Sequence, residues 1–155
     1  MTAKRQKLLT LLSELSASVE KATAILEHTL EDVKDLPIKP LVEDYEWEEL
    51  KDIEVLTARF ARLSDIFVKN LLRIIDELEL EFEGTIIDSL NRAEKRGHVK
   101  SAELLIQIRE LRNEIAHEYI AQAILDLFET VRGLAPKLIG DCKETLAYCK
   151  KNFDG

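Results

Sequence analysis

Apolar residues recur every three or four positions over most of the chain, which is the spacing of an amphipathic helix. The first such segment runs from about Thr2 to Leu36. Pro37 and Pro40 follow it, and because proline cannot continue the helical hydrogen-bond ladder, the first helix is predicted to end before them. The apolar positions of this segment are Leu8, Leu12, Leu15, Val19, Ala22, Leu26, Leu30 and Val33.

A second long segment, from about Trp47 to Leu80, has the same periodicity. Two long helices joined by a short proline-containing turn predict an antiparallel hairpin, on which a helical bundle can be built. The apolar positions of the second segment are Leu50, Ile53, Leu56, Phe60, Leu63, Phe67, Leu71, Ile74 and Leu78.

Shorter helices are predicted in the next part of the chain from their end signals. Gly84 is a helix stop and Thr85 is a residue type that caps a new helix, which is expected to end near Gly97. Ser101 is a good N-cap for the helix after it.

The last helical region is predicted from about Ala121 to Asn152, with Gly133 and Pro136 expected to kink or split it. No repeat, low-complexity tract or second domain is evident. The chain, residues 1–155, is therefore predicted to be a single all-α domain, an up-and-down antiparallel bundle of four to five helices.

Composition favours helices and an acidic surface. Hydrophobic residues make up 46% and charged residues 34%, with only five glycines and three prolines. The formal net charge is −8, so the surface as a whole repels nucleic acid. Any contact with RNA must therefore come from a local basic patch.

The expected compartment is the cytoplasm. No N-terminal targeting segment is evident, and no apolar run approaches the roughly 20 residues that span a bilayer. Cys142 and Cys149 are two helical turns apart, too far for a disulfide within one helix, which favours reduced cysteines.

No cofactor or metal is expected. Residues 41–54 carry seven acids against one lysine, and a solvated loop with a first helical turn explains them better than an acidic metal site. No cysteine–histidine cluster has metal-site spacing, and no glycine-rich phosphate loop is present.

The stretch from Arg109 to Tyr119 carries the most informative chemistry. On a regular helix Asn113 and His117 are neighbours at i and i+4, whereas Arg112 and His117 lie about 140° apart. In a groove, the long arginine side chain can still converge with the imidazole on one ligand. If the helix stays regular, Tyr119 falls within about 20° of Arg112, two turns further on.

These residue types suit metal-free cleavage of RNA. A histidine can remove the proton of a 2′-hydroxyl, and an arginine fork can stabilise charge on phosphoryl oxygens. Arginine and histidine five residues apart also occur by chance, and a lone helical histidine is more often structural. Spacing alone leaves both interpretations open.

The sequence Arg112-Asn113-Glu114-Ile115-Ala116-His117-Glu118-Tyr119 resembles the HEPN superfamily motif of Arg, a polar residue, three further positions and His. It also resembles the extended HepT form, which has Tyr two residues after the His. Residues 59–65, 87–94 and 111–113 resemble successive landmarks of a HepT-like branch, so the resemblance covers roughly residues 55–120. Ser64 departs from it, because Gln is expected before Asp65 in that branch.

The resemblance implies a HEPN-like homodimer with both Arg/His motifs along a shared cleft. It also implies a metal-independent endoribonuclease toxin of a toxin–antitoxin pair, a hydrolase neutralised by a minimal nucleotidyltransferase. Carried over residue by residue, Arg112 and His117 are the catalytic pair and Asn113 orients them. Tyr119 is the site of adenylylation by the antitoxin.

Basic residues outside the motif are candidate RNA contacts. The most basic short stretch precedes the motif helix and is either a helix C-terminus with its usual cations or a rail for the RNA backbone. Arg59 and Arg62 form an i, i+3 pair that either makes a structural salt bridge, with Asp65 as a partner, or lines the cleft. The candidate RNA-binding residues are Arg109, Arg92, Lys95, Arg96 and Arg59; His98 and Lys100 complete the basic stretch.

Two alternatives to the nuclease stay open. One is a non-catalytic HEPN helical partner or substrate-binding subunit of a nucleotidyltransferase. The other is a helical scaffold without nucleotide chemistry. The presence of the Arg, Asn, His and Tyr set favours the nuclease.

Overall fold

A computed structural model describes residues 2–81 and 83–153, and all regular elements in that part of the chain are helical. A short 3₁₀ turn, Val42–Asp44, lies between the first two helices. A seven-residue π-helical segment, Asp65–Leu71, joins α2 to α3 without a break. The helices are α1 Ala3–Val33, α2 Trp47–Ser64, α3 Leu72–Leu78, α4 Ile86–Arg96, α5 Ala102–His117 and α6 Ala121–Phe153.

The helices pack as an antiparallel bundle, which confirms the predicted fold class. Arg59 of α2 contacts Thr29, whereas Arg5 near the start of α1 contacts the carbonyl of Leu78, so α1 and α2–α3 run in opposite directions. α6 packs against α1, α2 and α5, and α4 lies between α3 and α5. Buried side chains from every helix form one core, including Val19, Phe60, Ile75, Leu90, Leu105 and Phe128.

Most predicted helix ends are confirmed by their capping contacts. The Thr85 hydroxyl accepts from the backbone N–H of Asp88, and the Asp88 carboxylate accepts from the Thr85 N–H, which closes the start of α4. Gly97 ends that helix with φ +88°, a conformation that glycine adopts without steric cost. The Ser101 hydroxyl caps α5 by accepting from the Leu104 N–H.

Two predictions about the long helices were wrong in detail. The second segment is not regular throughout, because it widens into the π-helical turn at Asp65. Of the two outcomes expected at Gly133 and Pro136, a kink or a split, the split is wrong, because α6 runs through both residues as one helix. Proline removes one helical hydrogen bond, but Ala135 and Leu138 are buried on either side of it, and burial of that face holds the helix together.

His98 is a structural residue of the connector between α4 and α5. Only 2% of its surface is exposed, and its ring lies 4.3 Å from the ring of Tyr148. Its Nδ1 is 2.9 Å from the Thr145 hydroxyl of α6. Burial lowers the pKa of His98 to about 4, and the nearby Arg96 contributes in the same direction.

Neither Cys142 nor Cys149 is in a disulfide, and both are buried, in agreement with the reduced state that the sequence predicts. Burial raises the pKa of the Cys142 thiol, which disfavours the reactive thiolate. Within the described ranges, none of the helices has the length and apolarity that crossing a bilayer requires.

Candidate functional site

Arg112 lies on the face of α5 that packs against the end of α2, and Asp65 holds its guanidinium. Nε donates to Oδ1 at 2.6 Å and Nη2 donates to Oδ2 at 2.7 Å, so the pair is bidentate. The two side chains keep 23% and 32% of their surface exposed. Hydrogen bonding to Asp65 raises the pKa of Arg112, so the group is a permanent cation that still reaches solvent.

Asp65 is the first residue of the π-helical segment. Ser64 before it and Phe67 after it are buried in the core, so their packing fixes the position of Asp65. Lys69, one turn further along the segment, has its Nζ 3.8 Å from Asp65 Oδ1. One carboxylate therefore has two cations around it, Arg112 and Lys69.

His117 is the last residue of α5, and it is exposed. The helix ends there because Glu118 has an extended backbone, with φ −93° and ψ 124°. Tyr119 lies beyond the helix with 91% of its surface exposed. The expectation that Tyr119 would face Arg112 on a regular helix was therefore wrong, although both side chains reach solvent.

Asn113 and Arg109 complete the motif face of α5. Both are half-buried. The Nε of Arg109 is buried and has no hydrogen-bond partner among the described residues. A buried donor of this kind is stabilised by a ligand or a water molecule.

The basic stretch before α5 does not form one continuous cationic surface. Arg92 Nη2 and Arg96 Nη1 bond the two oxygens of Asp76 at 3.0 and 2.6 Å. Asp76 is only 2% exposed, so these arginines neutralise a buried carboxylate. Lys95 is exposed, whereas the neighbouring His98 is buried. Arg92 and Arg96 therefore have a structural role through Asp76, whereas Lys95 makes no ion pair with another described residue.

Arg59 and Arg62 are not the partners of Asp65. Arg59 Nη1 donates to the Thr29 hydroxyl on α1 at 2.6 Å, and Arg62 is exposed. The suggested salt bridge to Asp65 was wrong, because the carboxylate points to α5 instead. Arg59 thus ties α2 to α1 and lies in a different contact from Arg112.

The residue that sequence reasoning missed is Asp65 as the partner of Arg112. The two are 47 positions apart, so no helical spacing connects them. The one available signal was its place at the end of residues 59–65, the first stretch that resembles a landmark of the HepT-like branch. Lys69 and Arg73, which follow on the same face of the chain, were also not singled out.

In the described part of the chain, no group of three or more His, Cys, Asp or Glu side chains is arranged to hold a metal ion. Comparison of the chain with family models, with curated proteins and with solved structures found no match. The resemblance to HEPN proteins therefore rests on residues 55–120 of the sequence alone.

Proposed function

We propose that the protein is a HEPN-type, metal-independent endoribonuclease of the HepT-like toxin kind, with Arg112 and His117 as its catalytic pair. The observation that carries the proposal is the state of these two side chains on α5. Arg112 is held at the surface by Asp65, and His117 is exposed at the end of the same helix. Neither side chain is buried in the core, and the reaction requires that both can reach the substrate.

His117 acts as the general base. It takes the proton of a ribose 2′-hydroxyl, and the 2′-oxygen attacks the adjacent phosphorus. The bond from phosphorus to the 5′-oxygen breaks, leaving a 2′,3′-cyclic phosphate on one fragment. The proton on the imidazolium is then available for the departing 5′-oxygen, so the other fragment ends in a 5′-hydroxyl.

Arg112 stabilises the charge that builds on the phosphoryl oxygens. A guanidinium has five N–H donors, and its bonds to Asp65 use Nε and Nη2. The Nη1 group and one hydrogen of Nη2 remain for a phosphate. Asp65 thus orients the fork and leaves its outer edge for the substrate.

A homodimer completes the site in this proposal. Arg112 and His117 point about 140° apart on a regular helix, so one copy alone holds them on different sides of α5. Two copies paired along a two-fold axis would bring Arg112 of one protomer towards His117 of the other across a shared cleft. Tyr119, almost fully exposed next to His117, is then the point at which a nucleotidyltransferase adds an anionic nucleotide and blocks the cleft.

The alternative is a non-catalytic HEPN partner or substrate-binding subunit of a nucleotidyltransferase. The bidentate bond to Asp65 favours it, because a guanidinium engaged by a carboxylate is also what a purely structural arginine shows. The two proposals differ in whether the purified chain cuts RNA.

The deciding experiment compares His117→Ala with His28→Ala, which removes an exposed histidine from α1. Purified proteins are incubated with single-stranded RNA, with and without EDTA, and the fragment ends are identified by mass spectrometry. We expect wild type and the His28 variant to yield 2′,3′-cyclic phosphates in EDTA, and the His117 variant to yield none. Equal cleavage by the His117 variant would contradict the assignment. A wild type that never cuts RNA favours the binding subunit.

A second experiment tests the partner. The chain is produced together with its candidate nucleotidyltransferase, and the peptide containing Tyr119 is examined for an added AMP. We expect the modification on Tyr119 and none after Tyr119→Phe. An inactive complex with unmodified Tyr119 would show that neutralisation works by another route.

A further inference from the structure

A polar cavity of about 530 Å³ lies beside the candidate site, between the π-helical segment with α3 and the start of α4. Three cations line it: Lys69, Arg73 and Arg92. Asp76 is the carboxylate among its lining residues, and that carboxylate is already bonded by Arg92 and Arg96. Three cations and one carboxylate therefore line the cavity itself, although the net charge of the chain is −8.

Two of these cations remain available to a ligand. Lys69 is 3.8 Å from Asp65 and its side chain is 46% exposed. Arg73 is 3.6 Å from Glu77 and its side chain is 74% exposed. Long, exposed ion pairs of this kind contribute little to stability and exchange readily for another anion.

Two buried polar atoms in the cavity also lack partners among the described residues. The Ser89 hydroxyl and the Nε of Arg92 are buried and make no hydrogen bond within the described residues. Buried polar groups are almost always bonded, so a ligand or water that accepts and donates here is stabilised. The start of α4 is itself closed by Thr85 and Asp88, so an anion in the cavity is held by the cations rather than by the helix end.

The cavity adjoins the guanidinium of Arg112 through a shared carboxylate. Lys69 Nζ and Arg112 Nε both approach the same oxygen of Asp65, at 3.8 and 2.6 Å. A polyanion bound by Arg112 therefore meets Lys69 next, and Arg73 and Arg92 beyond it.

We infer that this cavity binds the phosphodiester backbone of single-stranded RNA next to the bond that is cut, an inference that rests on the proposed function. Lys69 and Arg73 contact backbone phosphates, with Arg92 behind them. Contacts to phosphates fix the register of a strand and carry no sequence information, so the cavity positions RNA without selecting a base sequence.

The test measures binding without cleavage. The probe is a fluorescein-labelled single-stranded 2′-O-methyl RNA of mixed sequence, which lacks the attacking hydroxyl. Fluorescence anisotropy gives its affinity for wild type at several salt concentrations, and for a variant with Lys69→Gln and Arg73→Gln. Both side chains are largely exposed, so the variant is expected to fold. The matched control carries Lys143→Gln and Lys150→Gln, two exposed lysines beside the separate groove between α1 and α6.

Each phosphate contact contributes about 0.7 to the slope of log affinity against log salt for single strands. We therefore expect the slope of the cavity variant to be shallower by roughly 1.4, and its binding to be weaker for every sequence, with the control unchanged. A cavity variant with the wild-type slope, or a control with the same loss, overturns the inference.

Cleavage of ordinary RNA separates this inference from the proposed function. If wild type cuts RNA and the cavity variant has the same salt slope as wild type, the nuclease proposal stands and the inference that the cavity binds RNA is overturned. If the salt slope depends on the cavity residues but wild type never cuts RNA, the inference that the cavity binds RNA is supported and the nuclease proposal is contradicted. A protein that binds no RNA overturns both.

Discussion

The buried imidazole of His98 allows a quantitative test of how α4, α5 and α6 pack together. The Thr145 hydroxyl donates to the carbonyl oxygen of His98 at 3.1 Å, so its own oxygen accepts from Nδ1–H of the ring. A second proton must therefore add at Nε2. That atom is buried and has no partner among the described residues, so the imidazolium is disfavoured in the folded protein.

The pKa of about 4 in the folded state lies below the ordinary value of 6.5. Between these values the unfolded chain binds more protons than the folded chain, so the free energy of unfolding falls as the pH falls from 6.5 towards 4. The contribution of His98 amounts to a loss of about 2 kcal/mol at pH 5. Below pH 4 the loss reaches its full size of roughly 3 kcal/mol, and above pH 7 it is negligible.

Urea unfolding of wild type and His98→Asn at about pH 7.5 and pH 5 measures this contribution of His98 to the free energy of unfolding. The asparagine amide keeps a donor for Thr145 but cannot be protonated. It leaves space beside Tyr148, and that loss of packing is present at both pH values and cancels in the difference. Between the two pH values we expect the free energy of unfolding of wild type to fall by about 2 kcal/mol more than that of His98→Asn. The control His28→Asn is expected to fall by as much as wild type. An equal loss in wild type and His98→Asn would refute the reasoning.

Three further outcomes are expected. Asp76→Asn should lower the free energy of unfolding by about 3 to 5 kcal/mol in a urea titration, because it leaves two part-buried guanidinium groups without their carboxylate; a loss below 1 kcal/mol would contradict this. Cys142 and Cys149 should react with a thiol reagent only after unfolding, and reaction of the native protein at the rate of a free thiol would contradict their burial. Asp65→Asn should lower kcat for RNA cleavage on the order of tenfold to a hundredfold while leaving KM unchanged or lower, and a raised KM at unchanged kcat would contradict a positioning role.

The fold could be predicted because its signals are local. Thr85, Gly97 and Ser101 each begin or end a helix through contacts with residues close to them in the sequence. The apolar period of each segment shows directly which face of its helix is buried. The positions of α1, α4 and α5 follow from such signals to within a few residues. Pro136 does not split α6, because the local effect of proline is outweighed by burial on both sides of it.

The contacts of the site could not be predicted because they join distant parts of the chain. Asp65 reaches Arg112 only when α5 packs against the end of α2, and Asp76 reaches Arg96 only when α4 folds back onto α3. A sequence shows which groups are charged, but the packing of helices decides which of them meet. The end of α5 at His117 had no proline or glycine to mark it, so the place of Tyr119 was also missed.

The two carboxylates explain how an acidic chain can present positive charge. Asp65 is shared by Arg112 and Lys69, so that group of three retains one positive charge after pairing. Asp76 is shared by Arg92 and Arg96, and Glu81 lies 3.7 Å from Arg96 and offsets part of the charge that remains there. Ion pairing therefore orients these cations without cancelling them. Neutralising Asp65 adds to the local positive charge and removes the orientation of Arg112 at the same time. Tighter binding of RNA together with slower cleavage is the combination that an orienting carboxylate predicts, whereas a carboxylate that merely repels substrate would give tighter binding and faster cleavage.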